Sequence, residues 1–433
     1  KKSDTRDPSG SLADSRIDTR KSTMTQRLDT HRPLSGPTSP SLAAVSLFVA
    51  LAAAGCDPES GADTVSPSEL RSLVTTFPTY DISTDPTTGR RLNTNALGDL
   101  EFSNIDYGPG PAHDQSLKLV AIDLGDFVPH MPWEQGELWA AQPVDLTTLG
   151  LDAHMLTAQN IAGEQLRHSD FHGSRWTVRV EMEVIDEWQN QGQGVAYTLV
   201  EDDGELYGLV ELVLTVGWST LPEGADGPTS GDEDSQELAY AAAGAIPLYT
   251  FLFEKDGRNG DDEIGLFETC SVPEGGYHTT TAVLYQDLFV HDENGVVKPT
   301  SDSLYIGCVA GAVGKVATWG YWPDALPDLS RFEAAVRMVR ADYCGDGWSY
   351  THEGTPIGIA DQLGVNDPSP ELSSLDTGFF EAVWRTDGAD CVNYIRTDGW
   401  GNLHCGRPTC DQLDPGGSYG YFEANDDSLL SWR

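Results

Sequence analysis

The chain has 433 residues, with 26 Lys and Arg against 68 Asp and Glu, a formal charge of −42 at pH 7. Such a charge repels nucleic acid and anionic lipid headgroups, which argues against both as partners. The acids are scattered rather than clustered, so the charge reads as solubility and not as a cation-binding surface.

Residues 1–55 read as an upstream segment followed by an export leader. The apolar run LAAVSLFVALAAAG (42–55) is too short for a bilayer-spanning helix, which needs roughly 20 residues, but fits the core of a secretory signal. Met24 is the expected start, with Arg27 and Arg32 in the charged region that follows. The ending Ala53-Ala54-Gly55-Cys56 resembles the lipobox of bacterial lipoproteins, which makes Cys56 the expected lipidation site. Its acyl chain would then be the link to the membrane, with the outer membrane of a bacterial envelope as the expected location. Residues 56–95, rich in Ser, Thr, Pro, Gly and Asp, have the composition of a disordered tether.

From there the pattern is β. SLKLVAIDL (116–124) and RWTVRVEMEVID (175–186) alternate apolar and polar residues, as half-buried strands do. Between them, Leu156, Ile161, Leu166, Phe171 and Trp176 recur every five residues, an irregular stretch of strands and turns. VAYTLV and LYGLVELVLTV flank Asp203-Gly204, a strong hairpin signal. The acidic Gly/Pro segment 222–240 divides a β-rich N-terminal lobe (96–221) from a second lobe (241–400), with 401–433 as a C-terminal tail. Strands resume at IPLYTFLFE (246–254) and TAVLYQDLFV (281–290), the latter turning at Asp292-Glu293-Asn294-Gly295. SRFEAAVRMVRADYC (330–344) is the one clear helix, with a Ser330/Glu333 capping box, a face of Phe332, Ala335, Val336, Val339 and Tyr343, and Gly345 as its stop. Arg331, Arg337 and Arg340 point away from that face. The expected fold is therefore mainly β with one helix (α+β), in two β-rich lobes.

Cysteines brace the second lobe. With Cys56 acylated, Cys270, Cys308, Cys344, Cys391, Cys405 and Cys410 remain, an even number in an exported chain, and all are expected in disulfides.

Several motifs invite chemistry and fail. Gly416-Gly417-Ser418-Tyr419-Gly420 matches the nucleophile-elbow string, yet lacks a strand before it and a histidine after it. GCVAGAVGK (307–315) has Val309 and Val316 where a phosphate loop needs Gly and Ser or Thr. DGRNGDDE (256–263) lacks the alternating acids of a calcium loop and reads as a turn. His168, Asp170 and His172 would share one face of a strand and are the weak candidates for a metal site. Trp133, Trp139, Trp176, Trp188 and Trp218 suit sugar stacking, although tryptophan serves as core at least as often. No cofactor is expected.

VRADYCGDGWSYTHEGTPI (339–357) carries a resemblance. Ala341-Asp342-Tyr343-Cys344, together with SLYIGCVAGAVGK (303–315), Trp319-Gly320-Tyr321, Arg337-Met338-Val339-Arg340, Gly354-Thr355, Asp361 and FEAVWRTDGADCV (380–392), resembles the ADYC domain, common in myxobacterial exported and lipid-anchored proteins. The likeness covers roughly 265–400. It implies class and location and no particular activity. It also implies Cys270, Cys308, Cys344 and Cys391 as the shared framework, with Cys344–Cys391 and Cys270–Cys308 as the expected pairs and Cys405–Cys410 closing a local loop. Relatives carry cysteines where this chain has Val316 and Ala335, a joint absence that matches the loss of one disulfide.

Two functions from different classes follow. One is a non-enzymatic envelope lipoprotein that binds an envelope protein or glycan, or serves structurally. The other is an envelope hydrolase for a glycan or peptide, with Asp342, Asp346, Ser349 and His352 around Cys344. Cys344 itself is expected to be a staple, since it follows a helix C-terminus between two acids, where a thiolate is disfavoured.

Overall fold

A computed structural model describes residues 79–80, 91–92, 103–109, 112, 117–125, 142–190, 194–219, 239–255, 266–270, 280–291, 294–352, 354–366, 380–396, 403–413, 422 and 428–432. The strands preceding the acidic segment are β1 (Thr79–Tyr80), β2 (Arg91–Leu92), β3 (Asn104–Asp106), β4 (Leu117–Leu124), β5 (Gln142–Asp152), β6 (Met155–Asn160), β7 (Gln165–Arg167), β8 (Arg175–Glu181), β9 (Thr198–Asp202) and β10 (Glu205–Ser219). Helix α1 (Met182–Asn190) lies between β8 and β9. After it come β11 (Pro247–Glu254), β12 (Leu266–Glu268), β13 (Ala282–Val290), β14 (Val297–Cys308), α2 (Ala312–Thr318) and α3 (Leu329–Arg340). The last elements are β15 (Pro356–Asp361), β16 (Phe380–Arg385), β17 (Gly388–Val392), the single turn α4 (Cys410–Leu413) and β18 (Leu429–Trp432).

The fold is mainly β, and its larger sheet closes on itself. β10 is long enough to pair with β8 and β9 along its first half and with β11 along its second. From β11 the ladder runs through β13, β14, β3 and β4 back to β8, so seven strands form a barrel. Within it β3–β4 is parallel and the remaining neighbours antiparallel. Ile122, Trp176, Val178, Leu214, Phe251 and Ile306 fill the interior, each large apolar side chain contributing roughly 1.5–3 kcal/mol by leaving water.

β13 and β14 are buried on both faces. Ala282, Leu284, Leu304 and Ile306 face the barrel core, while Val283, Tyr285 and Tyr305 face a second core beneath α2 and α3. Helix α2 sits tightly on β14. A Cβ on Gly314 would lie 2.2 Å from the Gly307 carbonyl oxygen, so Gly307 and Gly314 let the two backbones touch. The far side of α3 carries a five-stranded sheet in the order β17–β16–β18–β15–β2, and its outer face packs around the Cys391–Cys410 disulfide.

Several expectations are corrected. Segment 222–240 does not separate two lobes. It joins β10 to β11, adjacent strands of one barrel, because strands on both sides of it need each other's hydrogen bonds. The tether contains β1 and β2, two short strands that pair with β10 and β15. The tail supplies β18, which lies between β15 and β16 with Leu429 and Leu430 buried. The stretch 182–186 is helix, since α1 buries Ile185 and Trp188 on one side. The Asp203-Gly204 hairpin forms as expected, both residues having positive φ (51° and 84°).

Candidate functional site

Helix α3 organises the ADYC segment. Asp328, not Ser330, caps its N-terminus by accepting from the Arg331 amide, and Glu333 is turned to other use. Arg337 is buried rather than directed to solvent. Its Nη2 lies 2.6 Å from Glu333 Oε1 and its Nη1 2.5 Å from Asp342 Oδ2, and its Nε donates to the Thr386 carbonyl. The helix ends at Ala341, in the left-handed conformation with φ 55°, one turn before the expected Gly345. The chain then curls around the Asp342 carboxylate. The amides of Gly345, Asp346 and Gly347 donate to it at 2.9, 3.2 and 3.0 Å.

Tyr343 turns the other way, into the core. Its hydroxyl donates to Glu381 Oε1 at 2.7 Å and accepts from the Arg396 amide at 2.8 Å, and its ring stacks on Trp384. Burial, and then the Glu381 carboxylate, push its phenol well above the usual value, so it stays a donor. Glu381 and Arg396 form a fully buried ion pair at 2.8 Å, and Arg396 also donates to the carbonyls of Met338 and Val339 at the end of α3. The helix C-terminus is thus capped by a buried guanidinium.

The turn is pressed against the β16–β17 hairpin. A Cβ on Gly345 (φ +74°) would fall 2.3 Å from the Asp387 oxygen, and one on Gly388 (φ +105°) 2.5 Å from the Tyr343 oxygen. Arg407 bridges this contact, donating to the carbonyls of Tyr343, Cys344 and Asp387. A second carboxylate nest lies nearby. Asp361 accepts from the Tyr321 hydroxyl and from the amides of Leu363, Val365 and Asn366.

The outward side of the turn holds Cys344, Asp346, Trp348 and, from the supposed tail, His404 and Cys405. His404 Nε2 is 2.5 Å from Asp346 Oδ2, and its Nδ1 is 2.5 Å from the Tyr350 hydroxyl and 4.0 Å from Cys344 Sγ. Partial burial raises the Asp346 carboxyl, but the hydrogen bond to His404 and the Trp348 amide outweigh it and hold the group below the usual carboxylate range. Asp346, Gly347, Trp348 and His404 line an open depression, and the Trp348 indole is 66% exposed.

The disulfides are Cys270–Cys308, Cys344–Cys405 and Cys391–Cys410. All six cysteines are paired, but Cys344 does not pair with Cys391, nor Cys405 with Cys410. Cys391 points to the outer face of the small sheet, where α4 brings Cys410, while Cys344 lies on the opposite, helix-facing side of the hairpin. Val316 and Ala335 are both buried, on the packed helices α2 and α3.

The proposed metal triad does not assemble. His168–Phe171 is a short 3-10 turn, so the three side chains do not share a strand face. Both His168 ring nitrogens are engaged, with the Tyr249 hydroxyl and the Gly217 carbonyl at 3.1 Å each, and burial drives its pKa down to about 3. Asp170 accepts from the Arg167 amide, and His172 Nδ1 from the Val216 amide. Among the described residues, Cys344, Asp346 and His404 bring ligand atoms within 4.8 Å of one another, but the Cys344 sulfur is tied into its disulfide. Trp176, Trp188 and Trp218 are core, not sugar platforms. Trp133, Trp139, Cys56, the GxSxG string and the 256–263 turn lie outside the described residues.

Of the hydrolase residues, Asp342 is a buried structural acceptor and Ser349 Oγ donates to the Arg340 carbonyl. The exposed His352 accepts Thr355 at its backbone oxygen, and the histidine that reaches Asp346 is His404. His404 and Tyr350 were missed because His404 is 58 residues from Asp346. Only its place beside Cys405 in sequence hinted at the contact.

A helix-capped β-barrel with a small disulfide-braced sheet, built around a buried acid–arginine–tyrosine hub, defines the class. The family model for the ADYC domain matches residues 162–398, more than half of the chain, and the chain belongs to that family. The match starts well before residue 241 and runs through the acidic segment, as expected of one barrel. No curated protein and no solved structure matches the chain.

Proposed function

We propose that the protein is a cell-envelope lipoprotein with a non-enzymatic binding or structural role, held to the membrane by an acyl chain on Cys56. The observation that carries the non-enzymatic reading is the consumption of the reactive groups of the ADYC turn. Asp342 takes four donors, and Tyr343 serves a buried ion pair. The leader pattern, the six paired cysteines and the acidic charge support an exported location. An envelope protein or glycan is the ligand class this reading favours, with the Trp348 depression as a surface of suitable chemistry. Under the alternative, an envelope hydrolase, only Asp346 and His404 would be left from the acidic site, and they are bonded to one another.

Crosslinking and capture of the native protein from its own envelope test the reading. A reproducible protein or glycan adduct, recovered intact, is expected; cleavage of the captured partner would instead establish the hydrolase. The anchor has its own check. Fatty-acid labelling should disappear in Cys56→Ser, and unchanged membrane association of that variant would rule the anchor out.

A further inference from the structure

The three disulfides differ in access. No cysteine of Cys270–Cys308 or Cys391–Cys410 is more than 3% exposed. In Cys344–Cys405 one sulfur-bearing residue is half-buried and the other exposed. That same bond has a histidine against it, His404 Nδ1 at 4.0 Å from Cys344 Sγ, oriented from its far side by Asp346. An open depression lined by Asp346, Gly347, Trp348 and His404 lies beside the histidine. An exposed disulfide beside a group able to stabilise one departing thiolate is the arrangement that exchanges, whereas buried ones persist.

We propose that Cys344–Cys405 is an exchangeable disulfide whose substrate is an external thiol, with His404 as the acid for the departing Cys344 sulfur and Asp346 as its positioning residue. The incoming thiolate attacks the Sγ of Cys405, the more exposed residue, and its lone pair forms the new S–S bond. The electron pair of the old bond leaves with Cys344 Sγ, and protonated His404, whose Nδ1 lies 2.5 Å from the Tyr350 hydroxyl at rest, turns its Nδ1 proton from that oxygen to the sulfur. A mixed disulfide on Cys405 and a Cys344 thiol result. A second thiol, from the same dithiol or another monothiol molecule, then attacks the external sulfur of the mixed disulfide. Cys405 leaves as the thiol, and the two external thiols are joined as a disulfide, so two electrons have passed to the protein. The turn tolerates this opening because its shape does not depend on the bond. Asp342 keeps the amides of 345–347, and Arg407 keeps the carbonyls of Tyr343, Cys344 and Asp387. The proposal is independent of the anchor and of the ligand proposed above.

Exchange in the folded, full chain tests it, with glutathione in one arm and a reduced dithiol protein of the thioredoxin type in the other. Free thiols are alkylated and located by peptide mapping. Cys344 and Cys405 should become labelled at least about tenfold faster than the other four cysteines, and Cys344→Ser, given oxidised glutathione, should accumulate a mixed disulfide on Cys405 by displacing one reduced glutathione. Opening by glutathione alone identifies a small thiol as the substrate, and opening by the protein alone a protein dithiol. His404→Gln should slow opening about tenfold without changing Tm, and Asp346→Asn should slow it less. Protection of all three bonds until the chain unfolds, or an unchanged rate in His404→Gln, would overturn the proposal.

Discussion

The two sides of the ADYC turn use the same kinds of side chain to opposite ends. Inward, Arg337, Asp342, Tyr343, Glu381 and Arg396 are buried, and each bonds to several partners across α3 and the small sheet. Outward, Asp346 and His404 are about half exposed and rely mainly on each other, with Tyr350 beneath. A charge removed from water must be matched by partners or the chain does not fold. A charge left in water contributes little to stability and keeps its reactivity. Asp342 and Tyr343 therefore serve the fold, and the groups free to react lie on the outward side.

Removing one partner from the inward side should have the largest effect. Arg396→Ala leaves Glu381 charged and buried and uncaps α3, so chemical denaturation should show a loss of about 3–5 kcal/mol. A loss below 1 kcal/mol would break the contrast. Acidification probes a second buried polar group, His168, which is held neutral with its pKa lowered from 6.5 to about 3 by burial. Between those values the unfolded chain takes up a proton that the folded chain refuses. Its contribution is thus complete above about pH 6.5 and declines toward pH 3, by up to ~1.4 kcal/mol per unit. Denaturation midpoints at pH 7 and pH 4 should lie closer together in His168→Gln than in the unaltered chain. Tyr343→Phe deprives both Glu381 and the Arg396 amide of a partner, and about 1–3 kcal/mol should be lost. Outward, His404→Ala should shift stability by less than about 0.5 kcal/mol, a thermal midpoint indistinguishable from the unaltered chain. A larger drop there would mean that the exposed pair is also part of the scaffold.

Local pattern carried the strands, the Asp203-Gly204 hairpin and the body of α3 into legible sequence, since period and turn chemistry are properties of neighbouring residues. What was lost depends on distant partners. Arg337 and Arg340 looked like a solvated face because nothing in the helix pattern says that the β16–β17 hairpin covers the first and that the turn at Gly347 folds back onto the second. Barrel closure was hidden because β3 pairs with β14, about 200 residues away, across a segment with every mark of a linker. The cysteine pairing failed for the same reason: a short CxxxxC spacing looks sufficient to itself, yet each sulfur belongs to a different face of the small sheet. The resemblance correctly singled out Ala341–Cys344, and the site beside it needed His404 from outside the matched residues.

The place of β18 between β15 and β16 has a consequence in time. A chain synthesised from its N-terminus presents β15, β16 and β17 before residues 403–432 arrive. Until then β15 and β16 have no strand between them, and Cys344 and Cys391 wait unpaired for Cys405 and Cys410. A bond between these two waiting thiols would be one that the finished molecule does not contain. Maturation of the small sheet therefore calls for an oxidant that acts late or an isomerase that corrects early haste, while the barrel's own bond, Cys270–Cys308, closes within material already delivered.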